Sequence, residues 1–137
     1  GVSNFTANQM DMFKGKVEVL YNQINLSLTH LDHMFDGTLE YMQTNDILPM
    51  AYSPLGSYFK EEDSKIRKVV DKLKNKYGCT DYQLLISWLL KHPSKVYPVI
   101  GTTKSDRIKS TLESLKIEID LIDWFELLEA SVGKRVP

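Results

Sequence analysis

The sequence has one cysteine, no long apolar run and almost no net charge, and each shortage excludes a class of protein. Cys79 has no partner for an internal disulfide, which fits a reducing compartment. No apolar stretch approaches the roughly 18 residues that span a bilayer, and no secretory signal is visible. The net charge of −1 offers no overall field for nucleic acid or an acidic membrane. We therefore expect a cytoplasmic protein with no nucleic-acid or membrane partner.

The chain also lacks a linker rich in glycine, serine or proline. Its 137 residues, 42% of them apolar, suffice for one hydrophobic core. We therefore expect residues 1–137 to form a single unit without an internal boundary.

Strand-like and helix-like segments alternate along the chain. The strand-like segments are short and rich in Val, Ile, Leu and Tyr, and we place them at residues 1–5, Val17–Ile24, Ile47–Tyr52 and Tyr97–Ile100. Alternation of this kind predicts a parallel sheet with right-handed crossovers. The order predicts an α/β fold, the C-terminal (βα)₄ half of a TIM-type (β/α)₈ barrel, so the unit would be a partial domain.

Capping patterns place the helices between these strands. Thr6 with Gln9 and Thr80 with Gln83 form capping boxes, and Leu26 to Phe35 reads as irregular. One further helix is expected from near Asp36 to near Asn45, and another from an acidic first turn at residues 61–63 to near Gly78. Two more are expected from a Ser105 cap to near Leu115 and from Asp120 to near Gly133.

Polar residues gather where the predicted strands end. Ser3 and Asn4 follow the first, Gln23 closes the second, Tyr52 and Ser53 close the third, and residues 101–104 follow the fourth. The carboxyl ends of parallel strands share one face, which is the working face of such folds. We therefore expect these residues to form a common site.

The segment from Gly101 to Arg107 has the chemistry of an anion site. Gly101 permits close backbone approach, Thr102 and Thr103 carry hydroxyls, and Lys104 and Arg107 carry positive charge beside a helix N-terminus. A capped helix with two solvated cations explains the same residues equally well. Taken alone, the segment leaves both interpretations open.

Four motifs together resemble the aldo-keto reductases, most closely a bacterial oxidoreductase branch. They are residues 1–5 (Gly-Val-Ser-Asn-Phe), Asn22-Gln23, residues 51–56 (Ala-Tyr-Ser-Pro-Leu-Gly) and residues 98–104 (Pro-Val-Ile-Gly-Thr-Thr-Lys). The resemblance covers essentially the whole chain. It implies a cofactor of the NADPH/NADP type lying across the mouth of a barrel, with NADH less favoured, in agreement with the absence of a Gly-x-Gly-x-x-Gly motif.

The resemblance also implies roles for individual residues. Ser3, Asn4 and Gln23 would bind the nicotinamide carboxamide, and Tyr52 would stack on the ring. The backbone of Ser53, Pro54, Leu55 and Gly56 would wrap the pyrophosphate. The segment beginning at Gly101 would hold the adenosine 2′-phosphate through Thr102, Thr103, Lys104 and Arg107. Many members carry Glu and Asn three and four residues after the arginine, where this chain has Ser110 and Thr111, so the adenine contact implied for Thr111 departs from the pattern.

The family's catalytic Asp, Tyr, Lys and His set lies upstream of its Gly-Val-Ser-Asn strand and has no match here. Tyr52, Tyr58 and Tyr82 stand in no corresponding motif. We therefore expect the chain alone to be inactive and to need an N-terminal half, or a second copy, before it meets a small carbonyl substrate. A non-catalytic nucleotide-binding subunit and an interaction fragment without nucleotide affinity are the alternatives.

Other reactive side chains are given structural interpretations. His30, Asp32 and His33 lack a convincing third metal ligand, so we expect loop surface and no metal. Cys79 has no adjacent His or second Cys and reads as inert. Trp88 and Trp124 are expected to pack between helices.

Overall fold

An all-parallel sheet of four strands forms the centre of the structure, a computed structural model that describes residues 1–60 and 65–136. The strands lie side by side in chain order, β1 (Val2–Ser3), β2 (Tyr21–Asn25), β3 (Leu48–Tyr52) and β4 (Tyr97–Pro98). The predicted parallel α/β arrangement is confirmed.

Helices connect and follow the strands. They are α1 (Ala7–Asp11), α2 (Asp32–Phe35), α3 (Thr38–Thr44), α4 (Lys65–Tyr77), α5 (Asp81–Leu90), α6 (Ser105–Glu113) and α7 (Leu121–Val132), with single 3₁₀ turns at Tyr58–Lys60 and Ser114–Lys116. Both capping boxes are present, at Thr6 and Thr80, and Gly133 ends α7 in the left-handed conformation. In the described part of the chain, no helix has the length and apolarity needed to cross a membrane.

All four strands are shorter in the structure than predicted: β1 keeps only Val2 and Ser3, and β3 begins at Leu48 and not at Ile47. Val17 was expected to begin the second strand, but its N–H donates to the Phe13 carbonyl at 3.0 Å, so the turn after α1 continues and β2 starts at Tyr21. The fourth strand keeps only Tyr97 and Pro98, although the Val99 N–H still donates to the Ala51 carbonyl at 2.8 Å. The pairing direction is unaffected by these differences.

One loop and one helix boundary also differ from the predictions. The stretch from Leu26 to Phe35 is not wholly irregular, because it ends in α2. Helix α6 ends at Glu113, because the chain tightens into a 3₁₀ turn from Ser114 to Lys116 and does not continue to Leu115. The acidic first turn expected at residues 61–63 lies outside the described residues.

One face of the sheet packs against helices. Ile24 and Ala51 on this face are fully buried. In the helical layer, the Trp88 and Trp124 rings stack with centroids 5.2 Å apart and planes at 11°. Each indole N–H donates to the other residue's carbonyl, at 3.1 and 2.9 Å, which confirms the predicted packing role.

Ion pairs hold α4 and α7 antiparallel. Lys76 Nζ lies 2.9 Å from an Asp120 carboxylate oxygen at one end of the contact, and Lys72 Nζ lies 2.8 Å from Glu126 further along. At the far end of α7, the Ser131 hydroxyl donates to the Leu28 carbonyl in the loop after β2. The end of α7 therefore lies at the carboxyl edge of the sheet.

The other face of the sheet, here called the open face, carries exposed apolar side chains. Tyr21 and Leu48 are register partners, and Tyr97 pairs with Met50, two residues beyond Leu48 on the same face. Their exposed fractions are 42%, 44% and 52%. A face of this composition is typical of a surface that another part of a barrel covers.

Candidate functional site

Three of the predicted nicotinamide-binding residues lie on the open face. Ser3 is the register partner of Gln23, which lies two residues after Tyr21 on β2. Tyr52 at the end of β3 is the register partner of Asn25, two residues further along β2. Because register partners and residues two apart share a face, Ser3, Gln23 and Tyr52 point to the same side of the sheet. They lie at or near the strands' carboxyl ends.

Asn4 and Ser53 turn the chain sharply where β1 and β3 end. Their φ angles are +55° and +49°, in the left-handed region that residues other than glycine rarely adopt. The Asn4 N–H donates to the Gln23 carbonyl at 2.8 Å, and the Ser3 hydroxyl donates to the same oxygen at 3.2 Å. These bonds hold the Ser3-Asn4 corner against β2.

Gly56 fixes the loop after β3 against the loop after β2. Its φ is +53°, and a Cβ at this position would overlap the hydroxyl oxygens of Thr29 and Ser27. The Gly56 N–H donates to the Ser53 carbonyl at 2.8 Å, and the next N–H, of Ser57, donates to Thr29 Oγ1 at 2.9 Å. Only glycine fits this close approach, so the glycine of the predicted pyrophosphate loop has a packing reason of its own.

The N-terminal end of α6 differs from the prediction that Ser105 caps it. Lys104 is the N-cap residue, with an extended backbone, and its side chain makes no capping hydrogen bond. Thr102 Oγ1 accepts the Lys104 N–H at 3.2 Å, which orders the loop from Gly101 to Thr103. Because a lysine side chain cannot accept, the first amides of this nine-residue helix receive no side-chain acceptor from the cap.

A cavity of about 470 Å³ lies between the loop after β3 and α6. It is lined by Leu55, Phe59, Thr80, Tyr82, Arg107 and Ser110. The cavity brings together Leu55 and Arg107. The resemblance assigns Leu55 to the pyrophosphate and Arg107 to the adenosine 2′-phosphate of the same nucleotide. Within the described ranges, neither Lys104 nor Arg107 lies in ion-pair contact with a carboxylate.

The polar side chains around this cavity bind mainly to one another. Tyr82 Oη lies 2.6 Å from Thr111 Oγ1, which donates to the Arg107 carbonyl at 2.8 Å. Gln83 Nε2 donates to the Ser110 carbonyl and hydroxyl at 3.1 and 3.2 Å. The packing of α5 on α6 therefore sets the positions of Thr111 and Ser110.

The predicted residues fall into two groups at the carboxyl edge of the sheet. One group lies at the ends of β1, β2 and β3 and comprises Ser3, Asn4, Gln23, Tyr52 and Ser53. The other lies around the cavity and the start of α6 and comprises Leu55, Arg107 and Thr111 with Lys104 nearby. Gly101, Thr102 and Thr103 form the loop that leads from β4 to α6. Pro54, which is buried, and Gly56, which is exposed, belong to the loop between the groups.

Sequence reasoning missed three residues at this edge. Asn25 Oδ1 is buried without a hydrogen-bond partner in the described structure, and its spacing of two from Gln23 could have placed it on the open face. Phe59, which is 51% exposed, lines the cavity. Tyr82 lines the same cavity, but a lone tyrosine in the first turn of a helix gives no sequence signal of that position.

Two groups with reactive side chains have environments that disfavour their ionised forms. Burial raises the pKa of Tyr58 to about 12, the Asp81 charge adds to this, and the nearby Arg67 charge opposes it. Burial also raises the pKa of Cys79, with a further contribution from Asp81. A neutral thiol is a poor nucleophile, in line with the inert role expected of Cys79.

His30 lies in the loop after β2, but Asp32 and His33 belong to α2, so the loop position expected of all three holds only for His30. Each histidine faces one carboxylate. His30 Nε2 lies 3.7 Å from Asp32, and His33 Nδ1 lies 3.0 Å from Asp36. Asp36 also accepts the Thr38 N–H at 2.8 Å, and although partial burial opposes it, hydrogen bonding to Thr38 and His33 lowers the pKa of this carboxyl. Over residues 1–60 and 65–136, no three His, Cys, Asp or Glu side chains come together as metal ligands.

The chain belongs to the aldo/keto reductase family, whose sequence model matches residues 1–131. It is 34% identical over 140 residues to the 6-dehydroglucose reductase of Agrobacterium fabrum, an alignment that covers 99% of this chain and 47% of the relative. It is 33% identical to the uncharacterized oxidoreductase YcsN of Bacillus subtilis, over 100% of this chain and 48% of that protein. The chain thus spans about half the length of these curated relatives.

Solved structures confirm the fold. The thermostable aldo-keto reductase Tm1743 superposes with a TM-score of 0.84 at 23% identity, covering 95% of this chain and 47% of that one. An aldo/keto reductase from Klebsiella pneumoniae, solved with NADP and acetate, gives 0.79 at 23% identity, over 93% of this chain and 46% of the other. The four-stranded sheet is therefore half of a (β/α)₈ barrel.

Proposed function

We propose that the protein, at its full natural length, reduces aldehydes or ketones to alcohols with NADPH and that this chain supplies the cofactor-binding half. The observation that carries the proposal is the placement of Ser3, Gln23 and Tyr52 on one sheet face, at the edge where the cavity beside Arg107 opens. The cofactor, when bound, supplies the hydride. The chain's own residues bind and orient it.

Amide and hydroxyl groups suit the nicotinamide end. Asn4 and Gln23 offer both donors and acceptors to a carboxamide, and Ser3 adds a hydroxyl. Tyr52, half-buried beside them, presents a ring on which the nicotinamide stacks. Such contacts fix which ring face meets the substrate, and hydride transfer depends steeply on that alignment.

Positive charge and unpaired amides suit the phosphate end. Lys104 and Arg107 are exposed beside the N-terminus of α6, where the helix dipole also favours an anion. Thr102 and Thr103 add hydroxyl donors. A dianionic 2′-phosphate gains from both cations, whereas the uncharged 2′-hydroxyl of NADH gains little, which is the physical basis for preferring NADPH.

The relatives support this assignment at different levels. The Agrobacterium protein is named a reductase and the Bacillus protein an oxidoreductase. A relative from Saccharomyces cerevisiae, 34% identical over 79% of this chain and 36% of its own length, is named an NADPH-dependent alpha-keto amide reductase. These names describe those proteins and agree in reaction type with the site described above.

The proposal includes a partner for the open face and a location. Tyr21, Leu48 and Tyr97 expose apolar surface that an N-terminal half-barrel, or a second copy of this chain, would cover. That partner half would bring the proton donor and general acid–base groups, so the chain alone would bind nucleotide without turning over a carbonyl substrate. The single thiol, with a raised pKa, is compatible with the cytoplasm.

The paired substitution Lys104→Ala with Arg107→Ala tests the phosphate assignment. In the full-length protein we expect NADPH affinity to fall about 100-fold, since two charge-assisted contacts are lost, and NADH affinity to fall less than about threefold. Calorimetric titration of both nucleotides measures the two changes. Lys109→Ala, which removes a charge from the same helix, is the matched control and should leave both affinities unchanged.

Three outcomes separate the candidate functions. Binding with turnover of an aldehyde supports the reductase, binding without turnover supports a regulatory subunit, and no binding supports an interaction fragment. Equal losses of NADPH and NADH in the double variant would contradict the assignment of Lys104 and Arg107.

A further inference from the structure

Asn22 is a fully buried polar side chain on the face of the sheet that packs against helices. Its exposed fraction is 0%, and it lies two residues before Ile24 on the same side of β2. The sulfur atoms of Met10 and Met42 lie 3.6 and 3.9 Å from its Nδ2. Burial of an amide costs free energy unless the amide is hydrogen-bonded, so its strongest partner shows what it holds in place.

That partner is the backbone of Phe5. Asn22 Nδ2 donates to the Phe5 carbonyl at 2.8 Å, and Asn22 Oδ1 accepts the Phe5 N–H at 3.2 Å. Because β1 ends at Ser3, Phe5 lies beyond the strand, and the side chain of Asn22 pairs with its backbone as a neighbouring strand would. The opposite orientation of the amide would set donor against donor and acceptor against acceptor, so the contact has one orientation.

The corner from Ser3 to Phe5 is therefore held from both sides of the sheet. The Asn4 N–H and the Ser3 hydroxyl donate to the Gln23 carbonyl at 2.8 and 3.2 Å. From the helix-packed side, Asn22 holds Phe5, the residue directly after Asn4. Asn4 has a φ of +55°, an unfavourable angle that persists only where the surrounding contacts impose it. The two bonds to Phe5 are among the contacts that impose this angle.

We propose that Asn22 is a positioning residue for the nicotinamide, because it holds the corner that presents Ser3 and Asn4 to the ring. Gln23, the next residue, faces the open face of the sheet, whereas Asn22 faces the helices and acts through the Phe5 backbone. The inference rests on the proposed function, which assigns Ser3 and Asn4 to the carboxamide. It adds that their alignment depends on a side chain buried on the opposite side of the sheet.

Two ligands separate positioning of the nicotinamide from a general effect on the fold. NADP⁺ carries the nicotinamide, whereas adenosine 2′,5′-bisphosphate has only the adenosine end with its 2′-phosphate. In full-length Asn22→Ala, we expect the affinity for NADP⁺ to fall about 10-fold, the equivalent of one lost hydrogen bond. The affinity for the bisphosphate should change less than about twofold, because its contacts lie at a separate site. Calorimetric titration measures both affinities.

Asn45→Ala is the matched control, because it removes the same side chain from a different backbone contact. Asn45 Nδ2 donates to the Tyr41 carbonyl at 2.9 Å, at the end of α3. This contact precedes β3 and therefore lies at the amino edge of the sheet, away from the corner. The control should leave the affinities for both ligands unchanged.

Asn22→Asp tests the two hydrogen bonds directly and also serves if the alanine variant does not fold. A protonated carboxyl offers Phe5 one acceptor and one donor, as the amide does, whereas a carboxylate has no donor for the Phe5 carbonyl. Burial beside the uncharged thioethers of Met10 and Met42 should raise the pKa of this carboxyl above the usual value of about 3.9. The NADP⁺ affinity of the variant, relative to the native protein at the same pH, should therefore recover as the pH falls from about 8 to about 5.5.

Each outcome of these titrations decides the inference. Equal losses for NADP⁺ and the bisphosphate in Asn22→Ala, or no loss for either, would overturn the positioning role and leave the proposed function standing. An affinity ratio that does not change with pH in Asn22→Asp would do the same, because it would show that the bonds to Phe5 do not affect the nicotinamide end. Failure of the native protein to bind either ligand would overturn the inference and the proposed function together.

Discussion

The layer of α4, α5 and α7 differs from the carboxyl edge of the sheet in how a buried polar side chain is paired. In the helical layer, buried Asp123 accepts from Lys76 Nζ at 2.6 Å and from Tyr77 Oη at 2.5 Å. At the sheet edge, Asn25 Oδ1 is buried without a partner in the described structure, and Asn4 and Ser53 hold strained backbone angles. An unpaired group and two strained residues thus lie where the sequence predicts a ligand, as expected of a binding edge. Positive φ angles also occur ahead of β3 and β4, at Asp46 (+55°) and Lys95 (+54°), so strain is not confined to that edge.

The largest expected effect comes from comparing one glycine of each region. Gly56→Ala at the sheet edge should lower the free energy of unfolding by about 3 kcal/mol, because the new Cβ meets Thr29 and Ser27 in addition to the unfavourable φ. Gly78→Ala, at the end of α4, has a similar φ of +59°, and apart from its chain neighbours no atom of the described residues lies within 4 Å of the Cβ. It should cost about 1 kcal/mol. Urea unfolding measures both changes.

The difference between the two glycine variants isolates the contact between the loops after β2 and β3. Thr29→Ala in the Gly56→Ala background should recover part of the lost stability, since it removes one of the overlapping oxygens. Equal midpoints for Gly56→Ala and Gly78→Ala would show that the two loops do not approach as closely as described.

An intermediate effect is expected in the helical layer. Asp123→Ala should lower the free energy of unfolding by about 2 kcal/mol, because Lys76 and Tyr77 lose a shared, buried acceptor. Glu126→Ala removes the exposed pair with Lys72 and should cost less than about 0.5 kcal/mol. Similar losses for the two variants would mean that burial of Asp123 adds nothing to its contacts.

The contribution of Asp123 should depend on pH. Burial opposes its ionisation, but hydrogen bonds from Lys76 and Tyr77 outweigh this and lower the pKa below the usual 3.8. A carboxyl with a lowered pKa in the folded state contributes stability above its unfolded pKa, and the contribution is lost as the pH falls through the folded value. The stability difference between the native protein and Asp123→Asn should therefore shrink below about pH 4, which urea midpoints across an acid series can measure.

The smallest effect on stability is expected at Ser3, where function should be more sensitive than folding. Ser3→Ala removes an exposed hydrogen bond to the Gln23 carbonyl, which still receives the Asn4 N–H, so stability should fall by no more than about 0.5 kcal/mol. NADPH affinity should nevertheless fall several-fold if the hydroxyl binds the carboxamide. Ser131→Ala, which loses the bond from α7 to the Leu28 carbonyl in the loop after β2, should show the reverse pattern.

Local signals in the sequence predicted most of the fold. Thr6 and Thr80 marked helix starts because their capping boxes need only residues three positions apart. The start of β2 could not be found in this way, because Val17 and Leu20 have strand propensity but the turn after α1 continues through Val17. Ser105 was mistaken for a cap because Lys104 carries no capping side chain, although its backbone takes the N-cap position.

The sequence predicted the residues of the candidate site that lie at the ends of strands. Ser3, Gln23 and Tyr52 share a face because of strand register, which the period of two already indicates. The cavity was not predictable, because Phe59, Tyr82 and Arg107 come from three elements that only tertiary packing brings together. The role of Arg107 as a ligand contact stays a prediction, which the Lys104 and Arg107 substitutions test.

The stacked tryptophans give the molecule an optical property of its own. Trp88 and Trp124 are the chain's two tryptophans, and their rings lie nearly parallel at 5.2 Å. Transitions on chromophores this close couple, so the pair should produce a split near-ultraviolet circular dichroism band whenever α5 and α7 are docked. Loss of that band during denaturation would mark the denaturant concentration at which these two helices separate, independently of changes at the carboxyl edge of the sheet.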